Sequence, residues 1–262
     1  MKPILKKLAS GAFKSSAKAP AEKPARFLVI GLPRSGSTYL ITLLNAHRDV
    51  FCSGEQFNHF AIVGVSSKDD DHESVLARDR TPIDFMENFF AEAANQRVKW
   101  TGFKFMIGHN IEVMKYLATQ PDITLIYVWR ENKLAQVSSW IKATNSKNWA
   151  QSSPNAHIEA KIDAKPRQIS QRWHEYAALD HLFAQWLSGL PNRRITLEYR
   201  EMFQPGFEES LCDFLEIAHD PNMKSPLLKQ STNDVLDRFK NPNPINNYFR
   251  KIGYGRWLES EL

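Results

Sequence analysis

Cysteine is scarce in this chain of 262 residues: only Cys52 and Cys212 occur, each beside apolar neighbours. Such usage excludes a disulfide framework, and the pair reads as buried free thiols in a reducing, cytoplasmic setting. No CxxC or HExxH spacing occurs, so no metal centre is expected. Long apolar runs are missing too. None approaches the roughly 18 to 20 residues that cross a bilayer, which excludes a membrane-spanning helix. Internal repeats are also absent.

Acidic side chains are nearly missing from the N-terminus, where residues 1–26 hold seven basic side chains against Glu22 alone. Residues 27–262 are left with 27 basic and 28 acidic side chains, so the overall charge of +5 belongs to the tail. A body this close to neutral argues against a broad duplex-binding face, where many phosphates must be neutralised together, and no nucleic-acid partner is expected. Residues 1–25 read as a basic, disordered tail. The alternatives are a transit-like peptide or a short surface helix with Ile4, Leu5, Leu8 and Phe13 on one side, able to make only weak membrane-surface contact.

What is present is enough apolar residue, 42%, to build a substantial core beside 24% charged residues. Phe27–Gly31 is a short apolar run ending in glycine, followed by helix periodicity over 37–46. Val98–Phe105, Ile123–Trp129 and Arg194–Tyr199 read as further strands, and helix signals cover 132–143, 167–188 and 207–217. Repeated β-α alternation predicts an α/β fold, a P-loop-like doubly wound parallel sheet flanked by helices, in one domain over 26–262. Two polar stretches, 66–82 and 144–168, read as mobile surface loops suited to an acceptor-binding or lid role. The acidic run Asp69–Glu73 in the first reads as solvated charge.

The most informative segment is Gly31-Leu-Pro-Arg-Ser-Gly-Ser-Thr38, between a strand and a helix. A loop there turns backbone N–H groups toward one point at a helix N-terminus, which favours a phosphate. Its spacing is that of the Walker loop, but Ser37 stands where the lysine belongs and Arg34 supplies a cation earlier. The apolar strand 123–129 ends in Arg130, where a nucleotidase would have an acid for magnesium. Eight residues on comes Ser138, two helical turns into the next helix.

This combination resembles the sulfotransferases that use 3′-phosphoadenosine 5′-phosphosulfate, PAPS, and in particular those modifying bacterial lipo-oligosaccharide nodulation signals and related glycans. The resemblance extends through 47–58, 102–104, 195–199, 214–217 and 228–231. It implies a sulfotransferase-like fold, no metal, and PAPS as co-substrate. Pro33, Arg34, Ser35, Gly36, Ser37, Thr38 and Tyr39 would bind its 5′-phosphosulfate, Arg130 and Ser138 its 3′-phosphate, and Lys229 and Gln230 would close over the nucleotide. The acceptor would be a hydroxyl of a carbohydrate or glycolipid. Arg34 would stabilise the leaving group, and Glu55, following a short strand at 50–53, would be the general base, its pKa raised by partial burial. His59 and His109 are the alternative bases. Lys104 either faces the sulfate or is exposed at a strand edge. Trp140 and Trp149 either stack on a sugar or pack in the core. The family's Tyr-Glu pair is here Tyr199-Arg200, so no role is carried over to Arg200. Two other functional classes stay open: a small-molecule kinase of P-loop type, and a non-catalytic nucleotide-binding protein.

Overall fold

The computed structural model describes residues 23–93, 97–150, 161–229 and 231–262. Most of the basic tail and the middle of the 144–168 stretch lie outside them, as does Gln230. In chain order the elements are β1 (Ala25–Gly31), α1 (Ser37–Asn45), β2 (Val50–Glu55), β3 (Ile62–Val63), β4 (Lys68–Asp69), α2 (His72–Arg80) and α3 (Pro82–Ala93). There follow β5 (Trp100–Met106), α4 (Ile111–Leu117), β6 (Ile123–Trp129), α5 (Lys133–Ser146), α6 (Pro166–Ser188), β7 (Arg194–Glu198), α7 (Phe207–Leu215) and α8 (Pro242–Lys251).

Five strands form one parallel sheet in the order β2-β5-β1-β6-β7. Strand β1 is central because nothing in it needs water: Phe27, Leu28, Val29 and Ile30 are fully buried. Alternate residues serve opposite faces. Phe27, Val29, Ile126 and Val128 pack toward α1 and α7, whereas Leu28, Ile30, Leu125 and Tyr127 pack toward α3, α4 and α6. A third cluster seats α5, α6 and α8 against one another around Trp173, Phe249 and Trp257. Both cysteines are buried free thiols. Among the described residues no helix is long and apolar enough to cross a membrane.

The chain leaves β1 toward β2 on one side and later returns on the other side to form β6. The sheet order therefore reverses beside β1, and a crevice opens there at the carboxyl ends of the strands. All five strands point the same way, so the residues that end them are delivered to one rim.

The stretch 66–82, expected as a mobile loop, instead carries β4, which pairs antiparallel with β3, and α2. The acidic run is consumed locally. Asp71 accepts from the Ser74 N–H and caps α2, Asp69 accepts from the Asp71 N–H, and Asp70 pairs with Lys68. From α2, the buried Arg78 donates to the carbonyls of Gln56 and Asn58 and lies over the Phe57 ring. The helix thereby clamps the segment that follows Glu55.

Candidate active site

The β1-α1 loop depends on two glycines. A Cβ on Gly31 would stand 2.5 Å from the Val128 carbonyl oxygen. Gly36 caps α1 with φ +99°, and a Cβ there would meet Met202 and Tyr199 within 2.7 Å. Arg34 adopts a positive φ of 63°. No side chain caps α1, so the N–H groups of its first turn face the crevice without an intrahelical partner. Behind the loop, Gln136 of α5 donates to the Pro33 carbonyl at 2.9 Å. Gln136 in turn accepts from Lys133, whose ammonium also pairs with Asp180, the acceptor of the Tyr127 hydroxyl.

A cavity of about 850 Å³ opens along this rim, and Arg34, Thr38, Glu55, Lys104, Arg130 and Lys229 all line it. The Arg34 side chain runs across it to donate to the Ser139 hydroxyl and the Trp149 carbonyl. Burial and the neighbouring Arg130 lower its pKa to about 10, which leaves it charged at neutral pH. Arg130 stacks its guanidinium over the Tyr199 ring at 4.1 Å and donates to the Arg34 carbonyl at 3.0 Å. The sequence places Arg130 and Arg34 almost a hundred residues apart; the fold bonds them.

Lys104 is not exposed. Its neighbours Phe103 and Phe105 enter the core on one face of β5, so its own side chain is sent to the α1 face. There the ammonium donates to Thr38 Oγ1 at 2.9 Å and pairs with Glu55 Oε1 at 2.8 Å. Glu55 ends β2 as part of the strand. Its second oxygen accepts from Asn58 at 2.7 Å. Burial pushes the Glu55 pKa upward, as the sequence suggests. The charge and hydrogen bond of Lys104, with smaller help from Asn58 and His109, outweigh it and bring the pKa down to about 2. The expected upward shift is thus reversed by a lysine whose placement the sequence leaves open.

The alternative bases fare differently. His109 lies 3.8 Å from Glu55, but its Nδ1 accepts the Met106 N–H, so the neutral ring carries its proton on Nε2 and has no lone pair for an acceptor. Burial, together with the charge of Lys104, lowers its pKa to about 4, against the pull of Glu55. His59 is exposed and contacts His109 edge to face. Trp149, half-exposed, lines the cavity, whereas Trp140 packs in the third cluster beneath Arg172.

Of the residues expected at the 3′-phosphate, Arg130 reaches the cavity. Ser138 is fully buried behind it, donating to Ala135 and accepting from Arg238; of these two neighbouring α5 serines it is Ser139 that lines the cavity. Lys229 lines the cavity. Ser139, Arg238 and Glu261 have no signal in the sequence, because nothing in their local spacing marks them and their partners lie far away in the chain; Asn58 falls within the 47–58 segment, three residues from its partner Glu55. Ser35 Oγ is buried beside the loop with no hydrogen-bond partner among the described residues, as is Ser231 Oγ. Ser35 does not line the cavity, whereas the Ser231 hydroxyl, the first-turn N–H groups and two arginines make a donor set there that fits an anionic nucleotide.

Comparison with known proteins bears on this arrangement. Nodulation protein H of Rhizobium meliloti (strain 1021) is 22% identical over 243 residues, covering 90% of this chain and 96% of that protein. Among solved structures, the sulfotransferase domain from the Synechococcus PCC 7002 olefin synthase covers 88% of this chain and 90% of its own, at 14% identity and TM-score 0.49. The sulfotransferase domain from the curacin biosynthetic pathway covers 83% of this chain and 80% of its own, at 15% identity and TM-score 0.45. Residues 25–221, which include the β1-α1 loop, Glu55, Lys104 and Arg130, match the sulfotransferase family, and the chain belongs to that family.

Proposed function

We propose that this protein transfers a sulfuryl group from PAPS to a hydroxyl of a carbohydrate or glycolipid, with residues 26–262 acting as one catalytic unit in a reducing, cytoplasmic compartment. The observation that carries the reading is the continuous chain Thr38–Lys104–Glu55, which joins the anion-binding loop to a carboxylate inside the cavity that Arg34 and Arg130 also line. When bound, PAPS supplies the sulfuryl group and a phosphate leaving group. Arg34 and the N–H groups of Gly36 to Thr38 hold the leaving-group end, where negative charge grows during transfer, while the Ser35 N–H bonds the Leu32 carbonyl and tightens the loop. Pro33 and Tyr39 line the cavity on either side of those N–H groups, and Lys229 covers the nucleotide, a role the resemblance also gives to Gln230, which lies outside the described residues.

Glu55 takes the proton of the acceptor hydroxyl, oriented by Asn58. Lys104 is shared between the loop and the base, so its charge serves both the anion and the geometry of Glu55. Half-exposed Trp149 and exposed Phe60 at the cavity offer apolar ring faces to a sugar. The similarity to Nodulation protein H, by its name a protein of nodulation, agrees with the resemblance to sulfotransferases of nodulation signals on which the glycan acceptor rests.

The test is thermal unfolding with nucleotides followed by a transfer assay. Adenosine 3′,5′-bisphosphate is expected to raise Tm more than ATP or ADP does, and labelled PAPS to yield a sulfated product from a panel of glycans, glycolipids and phenols. An equal response to all three nucleotides would sink the PAPS reading. Magnesium-dependent ATP consumption would instead establish a kinase, and nucleotide binding without transfer a non-catalytic protein.

A further inference from the structure

The cation cage behind Arg130 has an occupant already: the carboxylate of Glu261, whose side chain is fully buried. Oε1 accepts from Arg130 Nε at 2.6 Å and also from its Nη2. Oε2 accepts from Arg238 Nη2 at 3.0 Å and lies 3.3 Å from the Lys229 ammonium. Arg130, Arg238 and Lys229 come from the end of β6, a short 3-10 turn at Leu236–Arg238 and the loop before it. Arg130 and Lys229 also line the cavity, and the remaining Arg130 nitrogen bonds the Arg34 carbonyl of the phosphate loop.

Taking Arg130 as the 3′-phosphate ligand that the family resemblance implies, we propose that Arg238 is a further ligand of that phosphate and that Glu261 holds the subsite until the nucleotide displaces it. The inference rests on the reading of the cavity as a site for a 3′-phosphorylated nucleotide. Charge is the first argument. Three cations face one carboxylate, an excess of two in a buried place, where unmatched charge is costly. A phosphate monoester brings about −1.5 to −2 at neutral pH and three acceptor oxygens, and so matches the cage better than a carboxylate does.

Donor counting is the second. Arg130 spends Nε and Nη2 on Glu261 and Nη1 on Arg34, while Ser138 is spent on Ala135 and Arg238. The Nε–Nη2 fork of Arg130 is held by the carboxylate, so a phosphate that takes this fork replaces Glu261. Anchorage is the third. Glu259, Ser260 and Leu262 are exposed, and among the described residues the Glu261 side chain and its amide bond to the Asn233 carbonyl are what tie the segment down beyond buried Leu258. Release moves a few residues and leaves the core in place. The carboxylate is a true competitor, since the two arginines and Lys229 keep it ionised against its burial, with a pKa of about 2.

Calorimetric titration of the full chain with adenosine 3′,5′-bisphosphate and with AMP tests this. Glu261→Gln is expected to bind the bisphosphate at least tenfold tighter than wild type while AMP affinity changes less than twofold, and Arg238→Met to bind the bisphosphate at least tenfold more weakly. If Glu261→Gln binds the bisphosphate no better than wild type, the carboxylate is a buttress for the arginines and the proposal is wrong. A measurement free of variants is hydrogen exchange at the Glu261 amide of the wild-type chain. Bisphosphate should accelerate it tenfold or more and AMP should not; slowing or no change overturns displacement. Wild type that binds neither nucleotide would overturn the PAPS reading itself, a result distinct from tight bisphosphate binding that ignores Glu261.

Discussion

At the scale of single residues, Glu55 and Lys104 form the ion pair on which the proposed mechanism turns. Glu55→Gln keeps the shape and the Asn58 contact but cannot accept a proton, so turnover is expected to fall by about 10²- to 10⁴-fold. The bisphosphate-induced rise in Tm should persist in that variant, and a matching loss of nucleotide response would assign Glu55 to binding instead. Lys104 lowers the Glu55 pKa, so Lys104→Met should move the acid limb of the pH-rate profile to higher pH while slowing the reaction. An unmoved limb would show that another group governs it. Gly36→Ala puts a Cβ at φ +99° against Met202 and Tyr199, and is expected to cost at least about 1 kcal/mol in urea unfolding and to abolish the nucleotide shift.

Elements act by what they hold in place. Helix α2 lies outside the sheet, yet Arg78 fixes the carbonyls of Gln56 and Asn58, and Asn58 orients Glu55. Removing its cap with Asp71→Ala should lower stability by about 1 kcal/mol, read by denaturant titration, without touching nucleotide affinity. The sequence reading of 66–82 as a loop failed because its apolar periodicity is weak: α2 buries a single residue, Arg78, and that residue looks polar in any hydropathy pattern. Strand β6 is the opposite case. Its apolar run was readable end to end over Ile123–Trp129, since a strand covered on both faces leaves no polar position to blur its limits. The β1-α1 loop was readable for the same local reason, as glycine, proline and serine there satisfy backbone demands that chain neighbours set.

For the molecule as a whole, the buried charges set how it responds to acid. His109 titrates at about 4 in the fold against an ordinary 6.5, because burial disfavours its charged form; the stability this brings is present above about 6.5 and is lost as pH falls toward 4. Glu55 and Glu261 titrate at about 2 against 4.5, so their contribution holds above about 4.5 and is lost as pH falls toward 2. Tm is therefore expected to decline from near pH 6.5 and more steeply below 4.5, and His109→Asn should remove the first part of that decline. A flat Tm between pH 6.5 and 2 would contradict the buried ion pairs. Sequence alone determined the parallel α/β order and marked the β1-α1 loop and Arg130, which the fold brings to one cavity, because strand runs, turn residues and an eight-residue spacing are properties of neighbours in the chain. Only the tertiary structure decided that Lys104 meets Glu55 and inverts its pKa, that Ser138 is buried, and that Arg238 and Glu261 surround the Arg130 site. Those are encounters between distant strand ends and turns, and Coulomb interaction depends on separation in space, which the order of residues does not state.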